Sequence, residues 1–303
     1  MRPLISRKSP ESAQRVAWNA NAAGVRAANK ADTIVKRMTS IMLTSRREFL
    51  ATSVGALALA GCSKSDPALG LIFPVDRPVP EEGLAMYKTG VRFVTANLDL
   101  KTMTPEGYDA VLNDIPARAR QLKDAGARAI VLMGTSLTFY KGAEFNRKLT
   151  QTVAEASGLP ATTMSTGVVE GLRAVLKNAK GKRLAVATAY NDEVNARLKT
   201  FLYESGFEVL TLKGLGIEAV AGVNNVTQDQ LLNFGADVFK TAPEADAMLV
   251  SCGGFRTLEI IAPLEGRTNV PVVSSTPHAL WAGARLLGLS GRAPGFGRLL
   301  SEG

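Results

Sequence analysis

The stretch Met248-Leu249-Val250-Ser251-Cys252-Gly253-Gly254 decides how the chain is read. A short apolar run that stops at a cysteine and two glycines is the pattern of a buried parallel strand. Such a strand ends at the carboxyl edge of its sheet, where α/β proteins bind ligands. The glycines allow a sharp turn and leave backbone N–H groups uncovered beside the sulfur. Two readings of Cys252 stand side by side. One is a thiol that exchanges a proton next to an anion site; the other is a small buried cysteine ahead of an ordinary loop.

Outward from this stretch, the same order of parts occurs twice. LGLIFP (Leu69 to Pro74) and RLAVATAY (Arg183 to Tyr190) each read as a first buried strand. IVLMGTS (Ile130 to Ser136) and MLVSCGG each read as a later strand ending in a turn of small residues. LPATTMST (Leu159 to Thr166) and VPVVSSTP (Val270 to Pro277) each read as a third strand with proline near its start. From Leu69 to Arg183, Ile130 to Met248 and Pro160 to Pro271 the intervals are 114, 118 and 111 residues, which marks an internal duplication. Apolar spacing at Val111, Ile115 and Leu122 predicts a helix over Gly107 to Ala125, and a similar pattern predicts one over Gln228 to Thr241. Further helices are expected over Gly167 to Lys177 and Ala279 to Leu287.

Alternating strands and helices imply an α/β fold of two pseudo-symmetric Rossmann-like lobes whose parallel sheets face a shared cleft. Residues 69–180 make the first lobe, completed by 274–303, and residues 181–273 make the second. Met133 to Ser136 then lies opposite Ser251 to Gly254. Two loops of small residues bearing hydroxyls and amides line a pocket without filling it, which suits a carboxylate.

Charge and cysteine usage narrow the field. The net charge is +9, but residues 1–61 hold +7 of it, so the folded body is close to neutral. No basic stripe interleaved with aromatics is present, which argues against a nucleic-acid partner. The body has one cysteine, Cys252, and the chain one histidine, His278. That composition disfavours an internal disulfide, a metal site and a His-dependent triad. His278, just past the third strand of the second half, reads as a structural or rim residue.

The basic part is a leader, residues 1–62, joined to the body by a linker, 63–68. Arg46-Arg47 opens a basic-then-apolar stretch whose apolar part, Phe49 to Ala60, is twelve residues long. As a helix this is about 18 Å, too short to span a bilayer, and it resembles the apolar region of a twin-arginine export signal. It ends in Leu59-Ala60-Gly61-Cys62, which resembles a lipobox with Cys62 as the acylated residue. The expectation is a periplasmic protein, monomeric, touching the membrane only through Cys62. Residues 1–41 fit no signal peptide, and a start at Met42 would give a leader of ordinary length.

Several pieces of the body, in order, resemble the aspartate/glutamate/hydantoin racemase superfamily, and within it the arylmalonate decarboxylase family. They are TPEGYDAV (Thr104 to Val111), LMGTSL (Leu132 to Leu137) with Phe139-Tyr140, TTMST (Thr162 to Thr166), ATAY (Ala187 to Tyr190), SCGG and VVSS (Val272 to Ser275). Racemases and isomerases of the superfamily carry a cysteine on each facing loop. Here Gly134 stands at the first of these places and Cys252 alone remains.

The resemblance implies cofactor-free loss of CO₂ from a malonate-type dicarboxylic acid, leaving an enediolate that Cys252 protonates on one face. It assigns the oxyanion donors to the hydroxyls of Thr135, Ser136 and Tyr190 and to backbone N–H groups at Cys252 and Gly253. It places Gly134, Pro74, Leu100, Met103, Tyr108, Leu137, Val220 and Val223 around the substrate. The residues alone leave alternatives: Thr135 and Ser136 as helix caps, Tyr190 as a core tyrosine, the apolar set as plain core. Asp76 and Arg77 depart from the small apolar turn expected there, and Arg77 has the chemistry to bind a second acidic group. An isomerase or racemase of the same superfamily, or a periplasmic carboxylate-binding lipoprotein, are the competing readings.

Overall fold

A computed structural model describes residues 66–217 and 220–302. The leader, Arg46-Arg47, Cys62 and residues 63–65 of the linker lie outside the described residues. Among these residues no helix is long and apolar enough to cross a membrane.

Two four-stranded parallel sheets carry the fold. The first contains β1 (Ala68–Phe73), β2 (Arg92–Asn97), β3 (Ala127–Leu132) and β4 (Ala161–Thr163), in the order β2-β1-β3-β4. The second contains β5 (Arg183–Thr188), β6 (Glu208–Gly214), β7 (Ala247–Ser251) and β8 (Val272–Ser274), in the order β6-β5-β7-β8. Identical strand orders are the structural form of the repeat seen in the sequence.

Central strands β1 and β7 are buried along their whole length, as their unbroken apolar runs require when both faces of a sheet are covered. The edge strands β2 and β6 had no such run and were not expected. Each sheet therefore has four strands where three were read. RFVTAN and EVLTLKG are mixed in polarity because an edge strand is only half covered, and β6 is exposed at its ends.

The helices, in chain order, are α1 (Glu81–Met86), α2 (Pro105–Val111), α3 (Ile115–Asp124), α4 (Thr135–Phe139), α5 (Gly142–Ser157) and α6 (Met164–Val175). The second half adds α7 (Asp192–Glu204), α8 (Val220–Val223), α9 (Gln228–Lys240), α10 (Leu258–Thr268), α11 (Ser275–Leu286) and α12 (Arg298–Glu302). The single helix expected over Gly107 to Ala125 is two, separated by a 3-10 turn at Leu112–Asp114. Pro116 has no N–H to continue the first helix and sits in the opening turn of the second, where none is needed. Val111, Ile115 and Leu122 are buried all the same.

Both third strands are shorter than read, and their helices start earlier. Thr163 ends β4 and its side chain accepts from the Thr166 N–H, capping α6 from within the stretch taken for strand. Likewise β8 stops at Ser274, and Ser275 through Pro277 form the first turn of α11. Helix α11 follows a strand of the second sheet yet packs on α6 and on β3 and β4 of the first. The close pass of α6 over α11 occurs at Gly167, where a Cβ would stand 2.8 Å from the Ala279 Cα. His278 lies wholly buried here, not at a rim. Its Nδ1 accepts from the Ser274 N–H at 3.0 Å, and burial lowers its pKa to about 4, so it stays neutral.

Candidate active site

Strands β3 and β7 end at the same cavity. Met133 and Gly134 follow β3, Cys252 and Gly253 follow β7, and all four line it. The cavity is small, about 70 Å³, and opens through its mouth to solvent. The two turns nearly touch: a Cβ on Gly253 would stand 2.9 Å from Met164 Sδ and 3.8 Å from Thr135 Oγ1.

On the first turn, Gly134 has φ 99° and ψ 92°, a backbone shape that L side chains rarely adopt. A Cβ there would also meet Pro74 Cγ at 3.1 Å. This strained corner starts α4 at Thr135 and turns its hydroxyl inward. Thr135 Oγ1 lies 2.8 Å from Ser275 Oγ and 2.9 Å from Met164 Sδ, so with one proton it donates to one of them at a time. The N-cap of α4 is Gly134, and no side chain caps it. Thr135 and Ser136 are thus not the caps that the residues alone allowed.

On the second turn, Cys252 is 6% exposed and its sulfur faces backbone donors. The Gly254 N–H donates to Sγ at 3.4 Å. Burial pushes the thiol pKa up, outweighing the N–H groups of Gly254 and Phe255 and the nearby positive charge of Arg77. The group is therefore a neutral thiol at pH 7, the form that has a proton to give. The Gly253 carbonyl is held on the far side, accepting from Arg77 Nη1 at 3.1 Å and Thr276 Oγ1 at 3.2 Å.

Tyr190 reaches the same place from the end of β5, 4% exposed, with its hydroxyl 3.4 Å from Ser251 Oγ. Burial, and then the neighbouring Cys252, raise its phenol well above the ordinary value, so it too stays protonated. Tyr108 arrives from α2, whose start is set by Pro105 and by Thr104 accepting from the Gly107 N–H. Its ring packs on Tyr140 with centroids 4.9 Å apart. Burial pushes its phenol up to about 12, against the pull of Ser136 and Arg197. Its hydroxyl has no well-formed partner among the described residues.

The rest of the lining is largely apolar, with Pro74, Leu100, Met103, Leu137 and Val223 among it. Val220 opens α8, and its side chain is outside the described residues. Ser136 and Gly134 complete the set, so the expected residues other than Val220 meet in one cavity.

Sequence reasoning missed several neighbours. Ser275, which sets the Thr135 hydroxyl, lay in the VVSS segment but was read as strand. Met164 lay in TTMST and was likewise assigned to a strand, and Asn224 sits in a loop with no pattern to find it. Arg77 is the one charged side chain of the lining. Among the described residues no group of three or more His, Cys, Asp or Glu side chains is placed to hold a metal.

Residues 69–300 match the family model of arylmalonate decarboxylase. The chain is 44% identical over 240 residues to the arylmalonate decarboxylase of Bordetella bronchiseptica, covering 78% of this chain and 98% of that protein. The chain belongs to the arylmalonate decarboxylase family. It is an enzyme of the carboxy-lyase class.

Among solved structures, a liganded arylmalonate decarboxylase variant superposes with TM-score 0.74 at 43% identity, covering 78% of this chain and all of that one. That variant exchanges a glycine for cysteine and a cysteine for serine. A maleate isomerase from Pseudomonas putida superposes with TM-score 0.71 at 22% identity, covering 78% of this chain and 99% of that one, and shares the fold. The maleate isomerase of Nocardia farcinica is 24% identical over 216 residues, 69% of this chain and 84% of that protein.

Proposed function

We propose that this enzyme decarboxylates malonic acids bearing an aryl or similar arm, without a cofactor, and delivers one proton from Cys252 to one face of the resulting enediolate. The observation that carries the reading is the single buried thiol facing a turn that has glycine and hydroxyls in place of a second acid.

The chemistry uses the polar and the apolar parts of the lining. One carboxylate of the substrate is held by the hydroxyls of Thr135, Ser136 and Tyr190 and by N–H groups at Cys252 and Gly253. The other faces Leu100, Met103, Leu137 and Val223, where nothing solvates its charge. The C–C bond to that carboxylate breaks, CO₂ leaves, and the bonding pair passes into the retained carboxylate to form an enediolate. Donors already aimed at the oxygens stabilise that anion, each contributing about 3 kcal/mol. Cys252 Sγ–H then transfers its proton to the carbon, and the thiolate takes a proton back from solvent. Because the opposite turn has no acid at Gly134, the product forms as one enantiomer.

The test incubates the purified protein in D₂O with phenylmalonate, with single-enantiomer 2-arylpropionates and with maleate. The expected result is CO₂ from phenylmalonate-type acids, one deuterium in the product, and a single enantiomer from an α-methylated substrate. Isomerisation of maleate or racemisation of the arylpropionate without CO₂ would overturn the reading.

The leader supports a second proposal, that the enzyme is exported by the twin-arginine route and tethered through Cys62 in the periplasm. Arg46-Arg47 before a short apolar run ending in Leu59-Ala60-Gly61-Cys62 is what supports it. Cell fractionation of the full chain tests it: Arg46→Lys with Arg47→Lys should retain the protein in the cytoplasm, and Cys62→Ala should release it from the membrane fraction.

A further inference from the structure

Next to the cavity lies a second, polar hollow between the segment after β1 and the residues after β7. The two share Phe73, Arg77, Val223, Asn224, Gly253 and Gly254 as a common wall. Five ionisable side chains surround the hollow: Asp76, Arg77, Glu81, Glu82 and Arg256. The carboxylates are all engaged. Asp76 accepts from Asn97 Nδ2 at 2.6 Å, and Glu82 accepts from the Thr257 and Leu258 N–H groups at 2.7 and 2.8 Å. Glu81 pairs with Arg256 at 3.0 Å. Arg77 is the cation left over.

Among the described residues Arg77 has no carboxylate partner. It donates only to the neutral Gly253 carbonyl at 3.1 Å and to Asn224 Oδ1 at 3.3 Å. A guanidinium has five N–H donors, so most of the fork remains available at the boundary of cavity and hollow. The two bonds it makes hold it in place for an incoming anion, which lowers the ordering cost of binding one.

We propose that Arg77 binds a further carboxylate on the substrate's variable arm, which runs from the cavity toward the hollow. This rests on the malonate reading above. The two reacting carboxylates are poor partners for Arg77. One is already held by hydroxyl and N–H donors, and an ion pair to the departing one would stabilise the ground state and slow loss of CO₂. A third acidic group, away from the reacting carbon, uses the charge without that cost. The preferred substrates are then malonic acids whose arm itself ends in a carboxylate.

The experiment measures two ratios on wild type, Arg77→Leu, Arg77→Lys and Arg77→Glu. One is the ratio of kcat/KM for carboxyphenylmalonate and carboxyalkylmalonate against phenylmalonate. The other is the ratio of Kd for carboxyphenylacetate and a matching alkyl diacid against phenylacetate, by calorimetry. Each ratio is taken within one variant, so a general loss of activity cancels.

Wild type should favour the carboxylate-bearing arm by about 10- to 100-fold, the range of a charge-assisted pair. Arg77→Leu should abolish the preference, Arg77→Lys should keep part of it, and Arg77→Glu should shift it to an arm ending in an ammonium group. No preference in wild type for any acidic arm, or the same preference in Arg77→Leu, would overturn the assignment. If no malonate is turned over but the Kd preference depends on Arg77, the reaction reading fails and the assignment of Arg77 stands.

Discussion

The turns after β3 and β7 occupy the same place in duplicated sheets and carry different side chains. Met133 to Ser136 bends through a glycine at φ 99° and presents hydroxyls, with Thr135 Oγ1 tied to Ser275 or Met164. Ser251 to Gly254 presents a thiol cradled by a backbone N–H. A site with an acid on each side of a planar carbanion would exchange its proton both ways. On the proposed mechanism, the first turn contributes hydroxyls to the anion, and the second contributes backbone N–H groups and the proton. Duplication thus gives two equivalent positions, and they differ in a few side chains.

The largest test of that difference is Cys252→Ala. It should lower kcat for decarboxylation to protonated product by about 10²- to 10⁴-fold, the usual contribution of a positioned acid, with KM moving far less. The wild-type pH profile checks the same group. Its raised thiol pKa means that the donor form persists across neutral pH. The limb due to this thiol should therefore lie on the alkaline side, above the ordinary cysteine pKa of about 8.5, and Cys252→Ala should lose that limb.

Next in size come the hydroxyls around the retained carboxylate. Tyr190→Phe and Thr135→Val should each reduce kcat by about 10²- to 10³-fold while a product-like acid still binds. Equal losses in kcat and in binding of that acid would show ground-state holding instead of stabilisation of the developing anion.

The smallest effect on turnover and the sharpest on symmetry belongs to Gly134→Cys. The new residue must take a left-handed shape and press on Pro74, at a cost of order 1–3 kcal/mol, read as a lowered denaturation midpoint. In return a second sulfur faces the carbanion. A single-enantiomer product acid should then exchange its α-hydrogen in D₂O and lose optical activity, which polarimetry and mass spectrometry would detect. A variant that exchanges no faster than wild type would mean that the turns do not stand on opposite faces of the substrate.

Much of this was legible in the chain because buried parallel strands are continuous apolar runs. LGLIFP and MLVSCGG announced β1 and β7, and their recurrence announced the duplication. The edge strands β2 and β6 were not legible, because a half-covered strand has no run to show. The third strands were overread: Thr163 caps a helix that begins inside TTMST, a choice set by local hydrogen bonding and not by hydrophobic pattern.

By itself, the sequence determined the two-lobed α/β plan, the single body thiol and the glycine opposite it. These depend on composition and on the local rule that strands covered on both faces are apolar throughout. Only the tertiary structure decided that Ser275 and Met164 belong to the same site, since they come from α11 and α6. It also decided that the thiol is neutral. A side chain's pKa is set by what buries it, and burial is a property of neighbours far apart in the chain.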